Sequence, residues 1–217
     1  YIYELFVENN QLTDLDLSGL TGLYMLTAQN NPLENLNLKE CMYLDYLDIS
    51  STPITTLDLS HNTNLWELNL SNTSIKMLNN QWVSDTSFFI FKKLIQLKVA
   101  NTTFCKKLDL SHNPNLYELD ISGSAVTWVN LSNNPILLSL YATRSKLTDL
   151  ILGENDLDYL LEVRIEHTPL EKDKRVLEFA DALPDRRNTA PGHLYTYSRY
   201  IDEIADRIMR FNWQINQ

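Results

Sequence analysis

The chain contains 217 residues, 44% of them hydrophobic, which is enough to bury a sizeable core within one elongated domain. Its formal net charge is −10, from 28 acidic and 18 basic residues, and this balance argues against nucleic acid and against an anionic membrane surface as partners. No apolar run approaches the ~20 residues that span a bilayer, so the sequence predicts no membrane-spanning segment.

An eleven-residue unit recurs eight times between residues 2 and 170. Leucine or another apolar residue occupies its first, fourth, sixth and eleventh positions. Successive copies begin 21 to 23 residues apart, except that 29 residues separate the start of the fourth copy from that of the fifth. The copies begin at Ile2, Leu23, Leu44, Leu65, Leu94, Leu116, Leu137 and Leu160. A short repeat with apolar residues at fixed positions predicts the stacked turns of a solenoid.

The middle of each copy alternates apolar, variable and apolar residues, as expected for a short strand with one buried face. Stacked at ~4.8 Å per strand, eight such strands form a parallel sheet about 35 to 40 Å long. Side chains at positions three, five and seven then point away from the core. At position nine, an amide or hydroxyl is predicted to hydrogen-bond backbone groups where the chain turns inward. The residues at position nine are Asn10, Asn31, Thr52, Thr73, Thr102, Ser124, Ser145 and Thr168.

A second half-unit follows most copies, with an Asp or Asn between two apolar residues and then a turn. It occurs at residues 15–17, 36–38, 57–59, 108–110 and 129–131. The turn carries Leu20, Cys41, Asn62, Asn113, Asn134 and Asn155. Cys41 therefore occupies a position for a small buried residue, and with only one further cysteine, Cys105, the chain is not a disulfide scaffold. The return segments are rich in Asp, Asn, Ser and Pro, so they are predicted to be extended or 3₁₀.

The repeat pattern is interrupted by an insertion at residues 79–93. Its aromatic residues are Trp82, Phe88, Phe89 and Phe91. These side chains form either an exposed apolar lip for a partner or a cluster folded back over the edge of the core. The second interpretation is favoured, because four large apolar groups in water would be a costly patch.

A different pattern begins after Leu170. Residues 172–183 have apolar side chains at helical spacing, residues 193–197 are predicted to form a strand, and residues 200–211 a second helix. A solenoid needs such a cap, because its last turn would otherwise expose its hydrophobic end. The predicted organisation is a solenoid of eight turns over residues 1–170 and a helix-strand-helix cap over residues 171–217.

Both half-units together resemble the leucine-rich repeat superfamily, in particular the nested 21-residue variety common in bacterial surface proteins. The resemblance covers residues 2–170. It implies an α/β-class, right-handed solenoid whose parallel sheet lines the concave side, with mostly extended or 3₁₀ segments on the convex side. The run from Ala182 to Arg186, followed by Gly192, Leu194 and Tyr195, looks like the carboxy-terminal closing segment of those proteins.

The same resemblance implies a location. Intact proteins of this family carry a signal peptide, often with a lipid attachment, ahead of the repeats. No cap precedes Ile2, so further sequence upstream is expected. The implied location is outside the cell or on its surface, attached to the outer membrane through that upstream sequence.

The candidate binding residues lie at positions three and five of the middle and later copies. They are Tyr46, Asp48, Glu67, Asn69, Lys98, Glu118, Asp120, Tyr141 and Arg164. Carboxylates beside aromatic rings can accept Arg or Lys from a protein partner. They can equally bind sugar hydroxyls while Tyr46 or Tyr141 stacks on a sugar ring. The alternative is a polar face that serves solubility alone.

Position two adds Tyr3, Tyr24, Trp66 and Tyr117. These aromatic residues form either an edge along the rim of the sheet or a set of side chains partly buried between neighbouring repeats, and the second interpretation is favoured.

Catalysis is disfavoured by the sequence. Asp48 and Glu67 would lie on an open sheet, with no pocket to raise the pKa of one carboxyl group as glycoside hydrolysis requires. His61 and His112 fall about two repeats apart, too far for a shared metal ion. The sequence has no phosphate-binding loop and no G-x-S-x-G, H-E-x-x-H or C-x-x-C motif, so no catalytic residue, metal or cofactor is predicted.

The sequence therefore predicts a non-catalytic extracellular recognition module that binds a protein through the concave sheet. A glycan-binding surface protein and a structural spacer are the alternatives.

Overall fold

A computed structural model describes residues 2–79, 81–82, 85–88, 90–153 and 159–217, with the backbone alone at 81–82 and 85–87. Residues Asn155 and Phe89 and the side chain of Trp82, singled out from the sequence, lie outside this description. In the described part of the chain, no helix combines the length and the hydropathy needed to cross a membrane.

Short strands dominate the part of the chain that the structure describes, which also contains two α-helices near its carboxyl end. The strands are β1 (Glu4–Phe6), β2 (Met25–Thr27), β3 (Tyr46–Asp48), β4 (Thr56–Leu57), β5 (Glu67–Asn69), β6 (Met77–Leu78), β7 (Gln81–Trp82), β8 (Asp85–Ser87), β9 (Gln96–Lys98), β10 (Lys107–Asp109), β11 (Glu118–Asp120), β12 (Trp128–Leu131), β13 (Ser139–Tyr141), β14 (Asp149–Leu152), β15 (Glu162–Arg164), β16 (Gly192–Tyr195) and β17 (Trp213–Asn216). The helices are α1 (Arg175–Asp181) and α2 (Ile201–Ile208), with 3₁₀ turns at Leu170–Lys172 and Met209–Phe211.

One parallel sheet of ten strands runs the length of the molecule, in the order β1-β2-β3-β5-β9-β11-β13-β15-β16-β17. Its first eight strands come from the eight repeats, each in register with the next. Leu47, Leu68, Leu97 and Leu119 stand opposite one another in successive strands and are at most 1% exposed. The apolar positions thus form one continuous buried column, which confirms the predicted solenoid.

The return segments form two smaller sheets, one of order β14-β12-β10-β8 and one of order β4-β6-β7. Pairing is parallel except between β6 and β7. These strands confirm the prediction of extended return segments. They form because stacking gives each short apolar stretch a neighbour in register, from which it gains backbone hydrogen bonds.

Within the insertion, Phe88 and Phe91 are buried, with ring centroids 5.9 Å apart. For these two side chains the structure confirms the interpretation that the insertion folds back over the core. An apolar lip made from them is wrong.

The carboxyl end extends the main sheet by two strands. Strand β16 pairs with β15, and β17, which the sequence analysis did not predict, pairs with β16. Both helices are shorter than predicted, and α2 ends at Ile208 because residues 209–211 form a 3₁₀ turn before β17. Trp213 is buried, its indole Nε1 donates a hydrogen bond to the carbonyl of Pro184, and its ring lies where a β-carbon on Gly192 would be.

Each repeat ends its strand with the same turn. The eighth residue of all eight copies has a positive φ, between 55° and 65°. The ninth residue is buried in every copy but the first. The side-chain amide of Asn31 donates hydrogen bonds to the carbonyl of Ala28 in its own repeat and to that of Val7 in the preceding repeat. The hydroxyl groups of Thr52 and Thr73 donate within their own repeats. The predicted hydrogen bonds at position nine are thereby confirmed.

The buried turn position of the return segment is confirmed as well. Cys41 is fully buried, burial raises the pKa of its thiol, and neither Cys41 nor Cys105 forms a disulfide. Asn62, Asn113 and Asn134 are also buried, and each side-chain amide donates to two backbone carbonyl groups.

Candidate functional site

The nine candidate binding residues lie on one surface of the ten-stranded sheet. We call this surface the ladder face and define it as positions three, five and seven of the repeats together with His193, Tyr195, Gln214 and Asn216. Two columns cross it. Tyr46, Glu67, Gln96 and Glu118 stand side by side in one column, and Asp48, Asn69, Lys98, Asp120, Tyr141 and Arg164 in the other. Adjacent members of a column are ~4.8 Å apart, as neighbouring parallel strands require.

Side chains of the ladder face cover one another. Asp48 is 9% exposed, because Asn69 Nδ2 donates to its Oδ2 at 2.9 Å and the backbone N–H of Ser50 donates to its Oδ1 at 2.9 Å. Lys98 Nζ lies 3.4 Å from Glu118 Oε1. The central part of the face is therefore a network with fixed geometry.

Tyr46 and Glu67 are half-buried members of this centre. Burial raises the pKa of Glu67, an effect that the charge of Lys98 opposes and the charges of Glu118 and Asp45 reinforce. Burial also raises the pKa of the Tyr46 hydroxyl, and Asp48 and Glu67 add to this shift. A cationic group arriving at this point would relieve the repulsion among the carboxylates.

A second cluster surrounds Arg164 at the carboxyl end of the face. Its guanidinium lies 4.1 Å from the ring centroid of Tyr195 and 6.0 Å from that of Tyr141. Glu162 accepts a hydrogen bond from Arg164 Nε at 2.6 Å and one from the Tyr141 hydroxyl at 3.2 Å. The hydrogen bond with Glu162 raises the pKa of Arg164, and burial raises that of Tyr141. This arginine is thus held by its own chain.

Tyr195 and Glu162 are site residues that the sequence analysis did not single out. The alternation in residues 193–197 predicted a strand, but no repeat pattern indicated that the strand would join the main sheet beside Arg164. Glu162 occupies position three of the last repeat, two residues before Arg164. This spacing places both side chains on the same face of one strand, and it could have indicated their contact from the sequence.

The ladder face carries a large excess of negative charge. Lys98 and Arg164 are the basic residues at positions three, five and seven, and each contacts a glutamate. The acidic residues at these positions are Glu4, Glu8, Asp48, Glu67, Glu118, Asp120, Glu162 and Glu166. Eight acidic against two already paired basic residues create a negative field over the face.

Two tyrosines of the ladder face are the candidates for stacking on a sugar ring. Tyr46 and Tyr141 lie in β3 and β13, four strands apart in the sheet, or about 19 Å at the parallel spacing. They cannot contact the same sugar unit. Within the described residues, no group of three or more His, Cys, Asp or Glu side chains is placed to hold a metal ion.

The four aromatic residues at position two lie at the rim of the sheet. Tyr3, Tyr24, Trp66 and Tyr117 are 37% to 55% exposed. About half of each side chain is covered, which agrees with the favoured prediction of partial burial. The exposed remainder of the four rings leaves an aromatic edge along the rim.

Comparisons with solved structures reveal the same fold in other proteins. The functional domain of InlJ from Listeria monocytogenes matches with a TM-score of 0.65 at 23% identity, over 91% of this chain and 45% of that one. The leucine-rich repeat domain of APL1B matches with a TM-score of 0.61 at 14% identity, over 100% of this chain and 67% of that one.

A third similar structure is the leucine-rich repeat ectodomain of the Arabidopsis thaliana receptor kinase GASSHO1/SCHENGEN3 in complex with Casparian strip integrity factor 2. Its TM-score is 0.51 at 19% identity, over 77% of this chain and 24% of that one. This chain thus spans less than half the length of the InlJ domain and about a quarter of the plant ectodomain. No protein-family model and no curated protein sequence matches it. The stacked register, the two-part repeat and these structural neighbours together establish that the chain has a leucine-rich repeat fold.

Proposed function

We propose that the chain is a non-catalytic recognition module and that its ladder face binds a protein partner with a basic surface. The observation that carries this proposal is the excess of carboxylates on the face, with both of its basic residues already paired. Complementary charge steers a partner and fixes its orientation. Tyr46 and Tyr141 add aromatic surface of the kind that is enriched in protein interfaces.

Two further observations support recognition of a protein. The face spans ten strands, long enough for the 20 to 30 residues per side of a stable protein interface. Among the structural neighbours, the plant ectodomain was solved in complex with a partner, Casparian strip integrity factor 2.

The test reverses the charge of two ladder-face residues and screens a displayed library of extracellular proteins. Asp48 and Asp120 are poor choices, because each accepts a hydrogen bond from a backbone N–H two residues later. Glu67→Arg combined with Glu118→Arg avoids those turns. Proteins retained by the wild type should bind the double variant at least about tenfold more weakly.

The matched control is Glu34→Arg combined with Glu203→Arg, which changes the net charge equally at exposed positions away from the face. The control should retain its partners. Equal binding by the ladder-face variant would refute the proposal, and a library from which the wild type retains nothing would favour the structural spacer.

We also infer an extracellular location, with attachment to the outer membrane through sequence upstream of the repeats. The resemblance to bacterial surface repeats and the fold shared with InlJ and the plant ectodomain support this location. A protease added to intact cells should therefore cleave the native protein. Protection until the cells are lysed would contradict it.

The division into a solenoid over residues 1–170 and a cap over residues 171–217 is part of the same proposal. The interpretation of residues 182–195 as the closing segment found in bacterial surface repeat proteins also belongs to this proposal. The buried guanidinium of Arg186, which donates to the carbonyl groups of Leu160 and Ala190, supports a closing role for this segment.

A further inference from the structure

A groove lies along one rim of the solenoid, next to the ladder face, and its volume is about 850 Å³. Two columns of side chains line it. One column is formed by position two, with Asp45, Trp66, Ile95 and Tyr117, and the other by the residue before position one, with Tyr43, Asn64, Lys93, Asn115 and Ile136. We call it the rim groove. Its volume is within the range of ~300 to 1,000 Å³ that small-molecule sites occupy.

Large apolar side chains in the rim groove are exposed to solvent. Trp66 is 44% exposed, Tyr117 43%, Tyr43 65% and Ile136 37%. Met42, next to Tyr43, is 50% exposed. Single exposed apolar residues are ordinary, but a contiguous group lining a concave surface marks a binding site.

The backbone N–H groups at position two, beneath the groove, already donate to the carbonyl groups of the preceding repeat. Each of these N–H groups donates to a backbone carbonyl oxygen at 2.7 to 2.9 Å. The pairs are Trp66 to Asp45, Ile95 to Trp66, Tyr117 to Ile95 and Leu138 to Tyr117. A peptide therefore cannot add to the sheet here by strand pairing. Recognition must come from side chains.

Polar side chains of both signs lie among the aromatic rings. Lys93 Nζ donates to Asn64 Oδ1 at 2.8 Å, and Asn64 Nδ2 donates to the carbonyl of Met42 at 3.1 Å. Asn115 Nδ2 donates to the carbonyl of Lys92. The Oδ1 atom of Asp45 is buried without a hydrogen-bond partner among the described residues, and burial raises the pKa of this carboxyl group. One carboxylate, Asp45, and one ammonium group, Lys93, are thus among the side chains that line the groove.

We propose that the rim groove binds an uncharged, linear oligosaccharide whose sugar rings stack on Trp66 and Tyr117. These two residues directly precede β5 and β11, which are separated by β9 alone, so they lie about 10 Å apart along the solenoid. A linear chain of sugar rings can place one ring on each of these two aromatic side chains. Sugar rings have apolar C–H faces for stacking, and their hydroxyls both donate to Asp45 and accept from Lys93.

The charge of the groove distinguishes this ligand from the partner of the ladder face. One acidic and one basic side chain line it, so it has no preference for a basic or an acidic chain. Each hydroxyl of an uncharged sugar acts as both donor and acceptor and can satisfy both groups at once. Stacking of a sugar ring on Tyr46 or Tyr141 of the ladder face is a separate hypothesis; the two aromatic residues of the rim groove are exposed and lie closer together.

The experiment is calorimetric titration of the chain with cellohexaose, mannohexaose and chitohexaose, and with a proline decapeptide as the peptide probe for an aromatic groove. At least one hexasaccharide should bind. Trp66→Ala and Tyr117→Ala should each weaken that binding by about tenfold, because each removes one stacking face. Asp45→Asn, which keeps the shape of the side chain, should weaken it by about three- to tenfold through the loss of a charged acceptor.

Tyr159→Ala is the matched control, since this tyrosine is 60% exposed, precedes position one of the last repeat as Tyr43 precedes that of the third, and lies outside the groove. It should leave hexasaccharide affinity unchanged, because it removes no side chain of the groove. Conversely, Trp66→Ala should still retain the protein partner. A lack of hexasaccharide binding would therefore not contradict the proposal that the ladder face binds a protein.

Three results would overturn the proposal. No heat of binding with any of the three hexasaccharides at millimolar concentration excludes the ligand class. Hexasaccharide binding that Trp66→Ala and Tyr117→Ala leave intact moves the site elsewhere. Binding of the proline decapeptide alone, lost in the same variants, assigns the groove to a peptide.

Discussion

At the eighth position of each repeat the backbone takes a left-handed conformation that side chains disfavour. Asparagine and glycine tolerate it best, and five of the eight copies have one of them. The other three have Ser51, Arg144 and His167. These three positions hold local strain that the surrounding turn imposes.

Arg144→Gly should stabilise the protein by about 0.5 to 1 kcal/mol, because glycine adopts φ near +60° without the steric cost that arginine incurs. Urea unfolding measures the change. Lys146→Gly is the control, since Lys146 is exposed two residues later without a positive φ, and it should destabilise by a similar amount. A loss of stability in Arg144→Gly would contradict the assignment of strain.

Buried asparagines in the return segment connect one repeat to the preceding one. Asn113 Nδ2 donates to the carbonyl groups of Phe88 and Phe91 at 2.9 and 2.8 Å. Asn113→Ala should destabilise the chain by about 1 to 3 kcal/mol, because two buried hydrogen bonds are lost while each carbonyl group keeps its backbone donor. Asn115→Ala removes a similar bond to Lys92 at an exposed position and should cost less than about 1 kcal/mol. Equal costs in thermal unfolding would refute this role of burial.

Individual residues were predictable from the sequence to different degrees. Position nine was predictable, since an amide or hydroxyl occupies it in all eight copies. The left-handed residue at position eight was not predicted, because Arg144 and His167 obscure the asparagine pattern. The contact of Arg164 with Tyr195 was not predictable, since it joins a repeat to a segment outside the repeat.

Among the elements, the strands of the repeats were predictable because each is one of eight copies with the same alternation. Strand β17 was missed because Trp213–Asn216 occurs once, so no second copy supports a four-residue pattern. Helices α1 and α2 were predicted in type and place, but their ends depend on tertiary contacts: residues 209–211 turn toward β17 rather than continue the helix.

The pairing of β16 with β17 depends on a close approach of Gly192 to Trp213. A β-carbon at residue 192 would lie 2.6 Å from the indole ring, so Gly192→Ala should destabilise the protein by about 1 to 3 kcal/mol through overpacking. Thermal unfolding measures this cost.

Gly22→Ala is the matched control for that variant. A β-carbon there meets the side chain of Tyr3 at 3.3 Å, which can move because the ring is more than half exposed. Its cost should stay below about 1 kcal/mol. If the two variants had the same melting temperature, Trp213 would not be packed against Gly192.

The whole molecule is a single stack in which each turn buries its apolar face against the next. The period of the sequence therefore predicted the architecture, and with it the side chains that share the outer surface of the sheet. The rim groove was not predictable to the same extent. Its second column is formed by the residue before position one, which varies from Tyr43 to Asn64 to Lys93 and has no repeat pattern.

The central claim is that the partner covers the carboxylates of the ladder face. Carbodiimide labelling of carboxyl groups, read by mass spectrometry on the free chain and on its complex with a protein retained from the library, tests this claim directly. Labelling of Glu67, Glu118 and Asp120 should fall on binding, whereas that of Glu34 and Glu203 should not change. Unchanged labelling of the three ladder-face residues in a saturated complex would contradict the account.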